Sequence, residues 1–136
     1  MKGRMNVYNH LDMLIREAEN TVTIVTTAPG LNRKLEALMP SLERAKKRGV
    51  KIRIAAPIDE ANRKIAKELT KVAEVRDTDG LKARFSIIDS EELMFMILDD
   101  DKVHPNYDVA VWLNASFFAR ALEQMFEIAW GKFKKI

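Results

Sequence analysis

No cysteine occurs in the 136 residues, which excludes disulfides, zinc ribbons and thiol nucleophiles. No apolar run approaches the ~20 residues of a membrane-spanning helix, and Met1-Lys2-Gly3-Arg4 leads into an amphipathic pattern rather than a signal-peptide core, so the chain reads as soluble and cytoplasmic. Glutamine appears once, at Gln124, whereas charged residues make up 32%, above the usual value of about 25%. Both biases are ones that thermophile proteins favour. A chain of this length fits one domain, residues 1–136, burying roughly two thirds of the surface its unfolded form exposes.

The net charge is only +3, but it is unevenly spread. Arg33 to Arg53 carries eight Lys or Arg against two Glu, and Ser86 to Asp101 carries six Asp or Glu with Arg and Lys absent. A basic cluster can mark a nucleic-acid patch. Here no aromatics interleave the charges in the way such patches do, and the segment reads as a solvated helix face.

In chain order, Val7, Leu11, Leu14, Ile15 and Ala18 repeat at helical spacing from about Asn6 to Glu19. Thr21 to Thr27 is β-branched throughout and runs into Ala28-Pro29-Gly30, which predicts a strand and a turn. Leu31, Leu35, Leu38, Leu42 and Ala45 mark a second helical face, which Pro40 should kink or restart near Met39 and Gly49 should close. Val50 to Ala56 is a second strand. Asp59 is suited to cap a third helix through Leu69, and Val72 to Arg76 makes a short third strand.

After the turn at Asp77-Thr78-Asp79-Gly80 comes the stretch Leu81 to Asp89, the expected central strand. Lys82, Arg84 and Ser86 alternate with Ala83, Phe85 and Ile87, so two cations are expected on one face. Leu93 to Leu98 follows closely enough to predict an antiparallel hairpin, and hence mixed strand directions. Asp99-Asp100-Asp101 with His104 lacks the alternating spacing of a calcium loop, and no metal is expected there. Val109 to Leu113 is the last strand. Asn114-Ala115-Ser116 then caps a long helix whose stripe of Phe118, Ala121, Leu122, Met125, Ile128 and Ala129 is broadened by Phe117, Phe126, Trp130 and Phe133. So wide a band exceeds one core-facing stripe. Phe117, Phe126, Trp130 and Phe133 are therefore the candidate surface for a second subunit in a homodimer.

Lys82, Arg84 and Asp89 stand at the spacing of the H-x-K-x(4)-D motif of the phospholipase D superfamily, in degenerate form. Lysine, with an ordinary pKa of about 10.4, is no substitute for a histidine nucleophile, whereas arginine keeps the ability to grip an oxyanion with two parallel hydrogen bonds. With this remnant, the Arg48 to Ile54 junction and the Leu113-Asn114-Ala115-Ser116 segment, the order of elements resembles the phospholipase D-like domain of archaeal TrmB-type transcriptional regulators. The resemblance implies an α/β fold with a mixed sheet of about six strands flanked by helices. It also implies a regulatory domain without catalysis or cofactor, which dimerises and in some members senses sugars.

Candidate ligand-binding residues for a sugar or anionic effector are Thr26, Thr27, Asp59, Lys82, Arg84, Asp89, Asn114 and Ser116. TrmB-type regulators contact DNA through a winged helix, which residues 1–136 do not contain, so the resemblance also implies that the chain is the C-terminal part of a longer regulator. Two other readings stay open. A phosphodiesterase or nuclease would need Lys82 desolvated enough to lose its proton. A ligand-free oligomerisation module would pair Lys82, Arg84 and Asp89 internally.

Overall fold

A computed structural model describes residues 1–136, with every side chain except that of Leu35, so Leu35's expected place on the second helical face lies outside the described residues. The β-branched run becomes β1 (Thr21–Val25), the fourth of seven strands in one sheet. It lies parallel to β2 (Lys51–Ala56), which is parallel to β3 (Glu74–Asp77). On its other side β4 (Phe85–Ile88), β5 (Glu92–Met96) and β6 (Ala110–Asn114) form an antiparallel meander. The sheet is therefore mixed, in the order β6-β5-β4-β1-β2-β3-β7. The seventh strand, β7 (Lys134–Lys135), is two residues against the far edge of β3, too short to leave a periodic signal.

Alternation splits each strand between two cores. Val22, Ile24, Ile54, Ile88 and Met94 face a layer of α1 (Arg4–Glu17), α2 (Ala28–Lys47) and α3 (Arg63–Leu69). Val25, Ala55, Ile87 and Leu93 face α4 (Ser116–Trp130), the one helix on the opposite side among the described residues. This is the period-two division of a strand whose two faces are both covered.

α2 begins earlier than its apolar pattern suggests, because Thr27 accepts a hydrogen bond from the Gly30 amide at 3.1 Å and Pro29 occupies the first turn. Those are strong start signals. The helix runs through exposed Pro40 as one element rather than restarting near Met39. It ends as expected at Gly49, whose φ of 91° lets Gly49 donate to Lys46 O and Val50 to Ala45 O. That pair of bonds is the Schellman arrangement, which needs a left-handed residue. Asp59 does not cap α3. It exchanges bonds with Asn62 in the preceding turn, accepting from the Asn62 amide at 3.0 Å while the Asp59 amide donates to Asn62 Oδ1 at 2.8 Å.

α4 turns a different face to the sheet from the one its stripe predicts. Phe126 and Trp130 are buried, with Phe133 packed against them, while Phe117, Phe118, Met125 and Ile128 are exposed. Two guanidinium groups decide this orientation: Arg53 lies 5.0 Å from the Phe126 ring centre and Arg76 lies 4.4 Å from that of Trp130. Stacked cations of this kind favour the aromatic faces they cover. Of the four residues expected at a subunit surface, only Phe117 is free of the chain's own core.

The basic segment is for the most part the solvated face expected of it, with Arg44, Lys46, Lys47, Arg48 and Lys51 exposed, but two of its members are tied into the fold. Lys34 is buried, and Arg48 donates to the carbonyls of Ile15 and Ala18 at 2.9 Å each, tying α2 to the end of α1. No helix among the described residues is long and apolar enough to cross a membrane.

Candidate functional site

The sheet has two rims, and the sequence-derived candidates divide between them. Val25 pairs with Phe85 and Val22 with Ile88, so Thr26, Thr27 and Arg84 share one rim while Asp89 lies at the other. Asn114 pairs with Glu92, placing it and Ser116 on the Asp89 rim. Four residues of strand, roughly 13 Å, separate the two sets. Asp59, following β2, lies on the Arg84 rim.

Asp89 works on the backbone. Its carboxylate accepts from the amides of Glu19, Asn20 and Thr21 at 2.7 to 3.2 Å, joining the β4–β5 hairpin to the start of β1. Asp89 and Ser90 both have positive φ, 56° and 58°, in this tight turn. Asp tolerates that region better than most residues, and the bonds from the three amides hold it there.

Lys82 and Arg84 do not share a strand face. β4 starts only at Phe85, and Lys82 stands exposed in the preceding loop, 3.4 Å from Asp101 and 3.9 Å from Asp99. The three consecutive carboxylates come within 4.8 Å of one another. Lys82 sits beside the outer two, and Asp100 is turned inward.

Arg84 is the centre of a buried charge cluster. Its two terminal nitrogens grip Asp108 at 3.0 and 2.7 Å, and one also donates to Leu98 O at 2.7 Å. Asp108 is fully buried and accepts a third bond from Arg4 Nε at 3.0 Å. Asp100 accepts from the Thr27 hydroxyl at 2.6 Å and from Arg33 Nη2. Gly30 permits this convergence, since a Cβ there would collide with the Thr26 hydroxyl and crowd that of Thr27.

Lys34 completes the cluster, donating to Thr26 Oγ1 at 3.3 Å with its ammonium 5.0 Å from the Tyr8 ring centre. Burial, then the nearby Arg84 and Arg33, lower its pKa to about 7 against the opposing pull of Asp100 and Asp108. Burial pushes the Asp108 carboxyl up, but the hydrogen bonds and charges of Arg84 and Arg4 outweigh it and hold the group below its ordinary value.

Three guanidinium groups and the Lys34 amine thus meet two carboxylates in one buried region. Arg4, Arg33, Lys34, Asp100 and Asp108 are absent from the sequence-derived set, and all but Lys34 have remote partners: 24 residues separate Arg84 from Asp108, 104 separate Arg4 from it and 67 separate Arg33 from Asp100. A local spacing rule cannot find such pairs.

The openings around the cluster differ in size. A pocket lined by Thr27, Lys82, Arg84 and Asp99 has a volume of about 240 Å³. That falls below the ~300–1,000 Å³ of ordinary small-molecule sites. A cleft on the α1 side, walled by Arg4, Tyr8 and Arg33, reaches about 770 Å³.

Comparisons with known proteins agree with this architecture. Residues 1–132 match the family described as transcriptional regulator TrmB, N-terminal subdomain of the effector-binding domain. Among solved structures, TrmBL2, described as an archaeal chromatin protein with a novel mode of DNA binding, superposes with a TM-score of 0.75 at 20% identity, over 100% of this chain and 53% of its own. The chain therefore spans about half of TrmBL2. Nuc from Salmonella typhimurium, a phospholipase D family member, gives a TM-score of 0.71 at 15% identity over 94% of this chain and 89% of its own. NucT from Helicobacter pylori gives 0.71 at 14%, over 98% and 92%. At these identities the structural neighbours establish the fold alone. No curated protein matches the sequence.

Proposed function

The chain belongs to the family of TrmB effector-binding N-terminal subdomains, and from that premise we propose that it is the effector-sensing and dimerisation domain of a transcriptional regulator, without catalysis. The observation that carries the absence of catalysis is the fate of the degenerate motif. Arg84 is gripped on both prongs by Asp108, and Lys82 stands in solvent between Asp99 and Asp101. A phospholipase D-type reaction needs a nucleophile that can be unprotonated and aimed at phosphorus. Lys82 has no apolar shell to strip its ammonium of water. Neither histidine stands on the motif's strand: His10 lies in α1 with its ring edge-on to Trp112, and His104, in the loop before β6, accepts from the Asn106 amide through Nδ1.

DNA contact is not assigned to this domain: Lys34, Arg48 and Arg53 of the basic segment make contacts within the fold, and the exposed Arg44, Lys46, Lys47 and Lys51 form a solvated face with no aromatic residue among them. Binding to DNA belongs, in this reading, to a winged helix elsewhere in a longer regulator, working in the cytoplasm. The dimer surface is the outer stripe of α4. Phe117, Met125 and Ile128 are 89%, 62% and 69% exposed at helical spacing, on a chain otherwise rich in surface charge. A single apolar stripe of this kind is self-complementary across a two-fold axis, which suits a second copy of the same chain. Light scattering should give twice the 15.6 kDa of one chain, and Ile128→Glu should halve the measured mass while leaving the circular dichroism unchanged. A wild-type mass of one chain would remove the dimer from the proposal.

A further inference from the structure

We infer that the cleft between the start of α1 and α2, rather than the remnant of the catalytic motif, binds a small phosphate monoester. The inference rests on the effector-domain reading and names the chemical class of the effector. Of the larger openings, this one alone among the described residues has a clear excess of positive charge. Lys2, Arg4 and Arg33 line it against the single carboxylate of Glu36. The opening beside β2, about 530 Å³, balances Lys46, Lys51 and Arg53 against Glu74, Glu123 and Glu127. The opening on the Asp89 rim, about 470 Å³, sets Arg120 against Asp89, Glu91 and Glu123.

The excess charge continues inward. Arg4 and Arg33 are the outer members of the buried cluster, and in that cluster two carboxylates face three guanidinium groups and the Lys34 amine. Arg4 Nη2 is buried with no hydrogen-bond partner, although Nε of the same guanidinium holds Asp108. An unmatched charged N–H inside a protein is costly, so this guanidinium keeps hydrogen-bonding capacity beyond what Asp108 uses. α1 also opens into this cleft at Gly3, which has no side chain to cap the first-turn amides, and acidic residues are absent from that turn. Uncapped amides at a helix start add to the attraction for an anion.

The lining favours a dianion over a single carboxylate. Counting the buried partners as well, Lys2, Arg4, Arg33 and Arg84, with Lys34 when protonated, outnumber Glu36, Asp100 and Asp108 by one to two charges, which suits the ≈ −1.5 to −2 of a phosphate monoester near neutral pH better than a single carboxylate. Asn6 and Asn106 supply neutral polar groups, and Tyr8 a largely apolar wall, for the organic part. The volume of about 770 Å³ exceeds what phosphate alone needs.

Calorimetry of the whole chain against glucose 6-phosphate, glycerol 3-phosphate, adenosine 5′-phosphate, inorganic phosphate and unphosphorylated glucose tests this. At least one monoester should bind, with glucose silent and affinity falling as sodium chloride is raised. Arg33→Gln should weaken binding at least about tenfold. Exposed Lys2→Glu, which does not touch the buried cluster, should weaken it by about fivefold or more, whereas Glu36→Gln should tighten it about threefold. Monoester binding that none of the three variants alters would overturn the location. If glucose binds and the monoesters do not, the phosphate assignment fails and the effector reading stands. Binding of neither class would overturn both.

Discussion

Asp108→Ala is expected to cost about 3–5 kcal/mol, because it strands two buried guanidinium groups without their shared carboxylate. Arg84 is 7% exposed, Asp108 is 0% exposed, and Arg4 reaches the same carboxylate from 104 residues away. Domains of this size have a total stability of roughly 5–15 kcal/mol, so the variant should be marginal at best. Urea denaturation at neutral pH measures the loss. Replacing all three charges at once, as Arg4→Met, Arg84→Met and Asp108→Leu, should recover most of it, since a buried ion cluster is often no more stable than well-packed apolar residues of similar volume. Loss of less than about 1 kcal/mol in the single variant would mean that the cluster is not desolvated as described.

The same carboxylate fixes the acid limit. The folded-state pKa of Asp108 is depressed, so its stabilisation is present above the unfolded value of about 3.9 and is lost as pH falls through the folded value.

Lys34→Met should do the opposite and stabilise the protein, with a pH dependence that identifies the cause. The wild-type ammonium is buried, and its pKa falls from 10.5 to about 7. Between those two values the unfolded chain holds a proton that the folded chain has released, so wild-type stability from this group rises with pH across that window. Below about pH 7 the folded protein carries the full cost of a buried charge beside Arg84 and Arg33. The gain from Lys34→Met should therefore be on the order of 3 kcal/mol larger at pH 6 than at pH 10. Denaturation midpoints at the two pH values check this, and a variant whose stability parallels wild type throughout would contradict it.

Much of the fold is legible in the sequence because it depends on local chemistry. The β-branched run Thr21–Val25, the Gly49 cap and the short link before Leu93 each carry their structural consequence within a few residues, and each forms as the pattern predicts. Phospholipase D-like topology follows from their order. The central stretch misleads at its first residues: Lys82-Ala83-Arg84 keeps the alternation of a strand, but pairing with β5 stops at Phe85, and only Met96 N to Arg84 O extends beyond it. Lys82 consequently leaves the face it was expected to share.

The site was less legible, for a related reason. Asp100 belongs to a run of three identical residues, and nothing in that run singles out the inward-turned member; Thr27 and Arg33 select it from across the rim. Lys34 lies in a segment whose composition suggests solvent exposure, yet the helix start at Thr27 rotates it under Tyr8. In α4 the apolar band was too wide for the sequence to choose a face, and Arg53 and Arg76, from two other strands, make that choice.

Whether Arg84 serves the fold or a reaction is decided by hydrolysis of bis(p-nitrophenyl) phosphate and single-stranded DNA with the purified wild-type chain at stoichiometric concentration. Release at the rate of the buffer, unchanged by Lys82→Ala, is the result the buried Arg84–Asp108 grip predicts. Multiple turnovers that vanish in Lys82→Ala while its denaturation midpoint stays at the wild-type value would contradict it, and would restore the exposed lysine as a nucleophile.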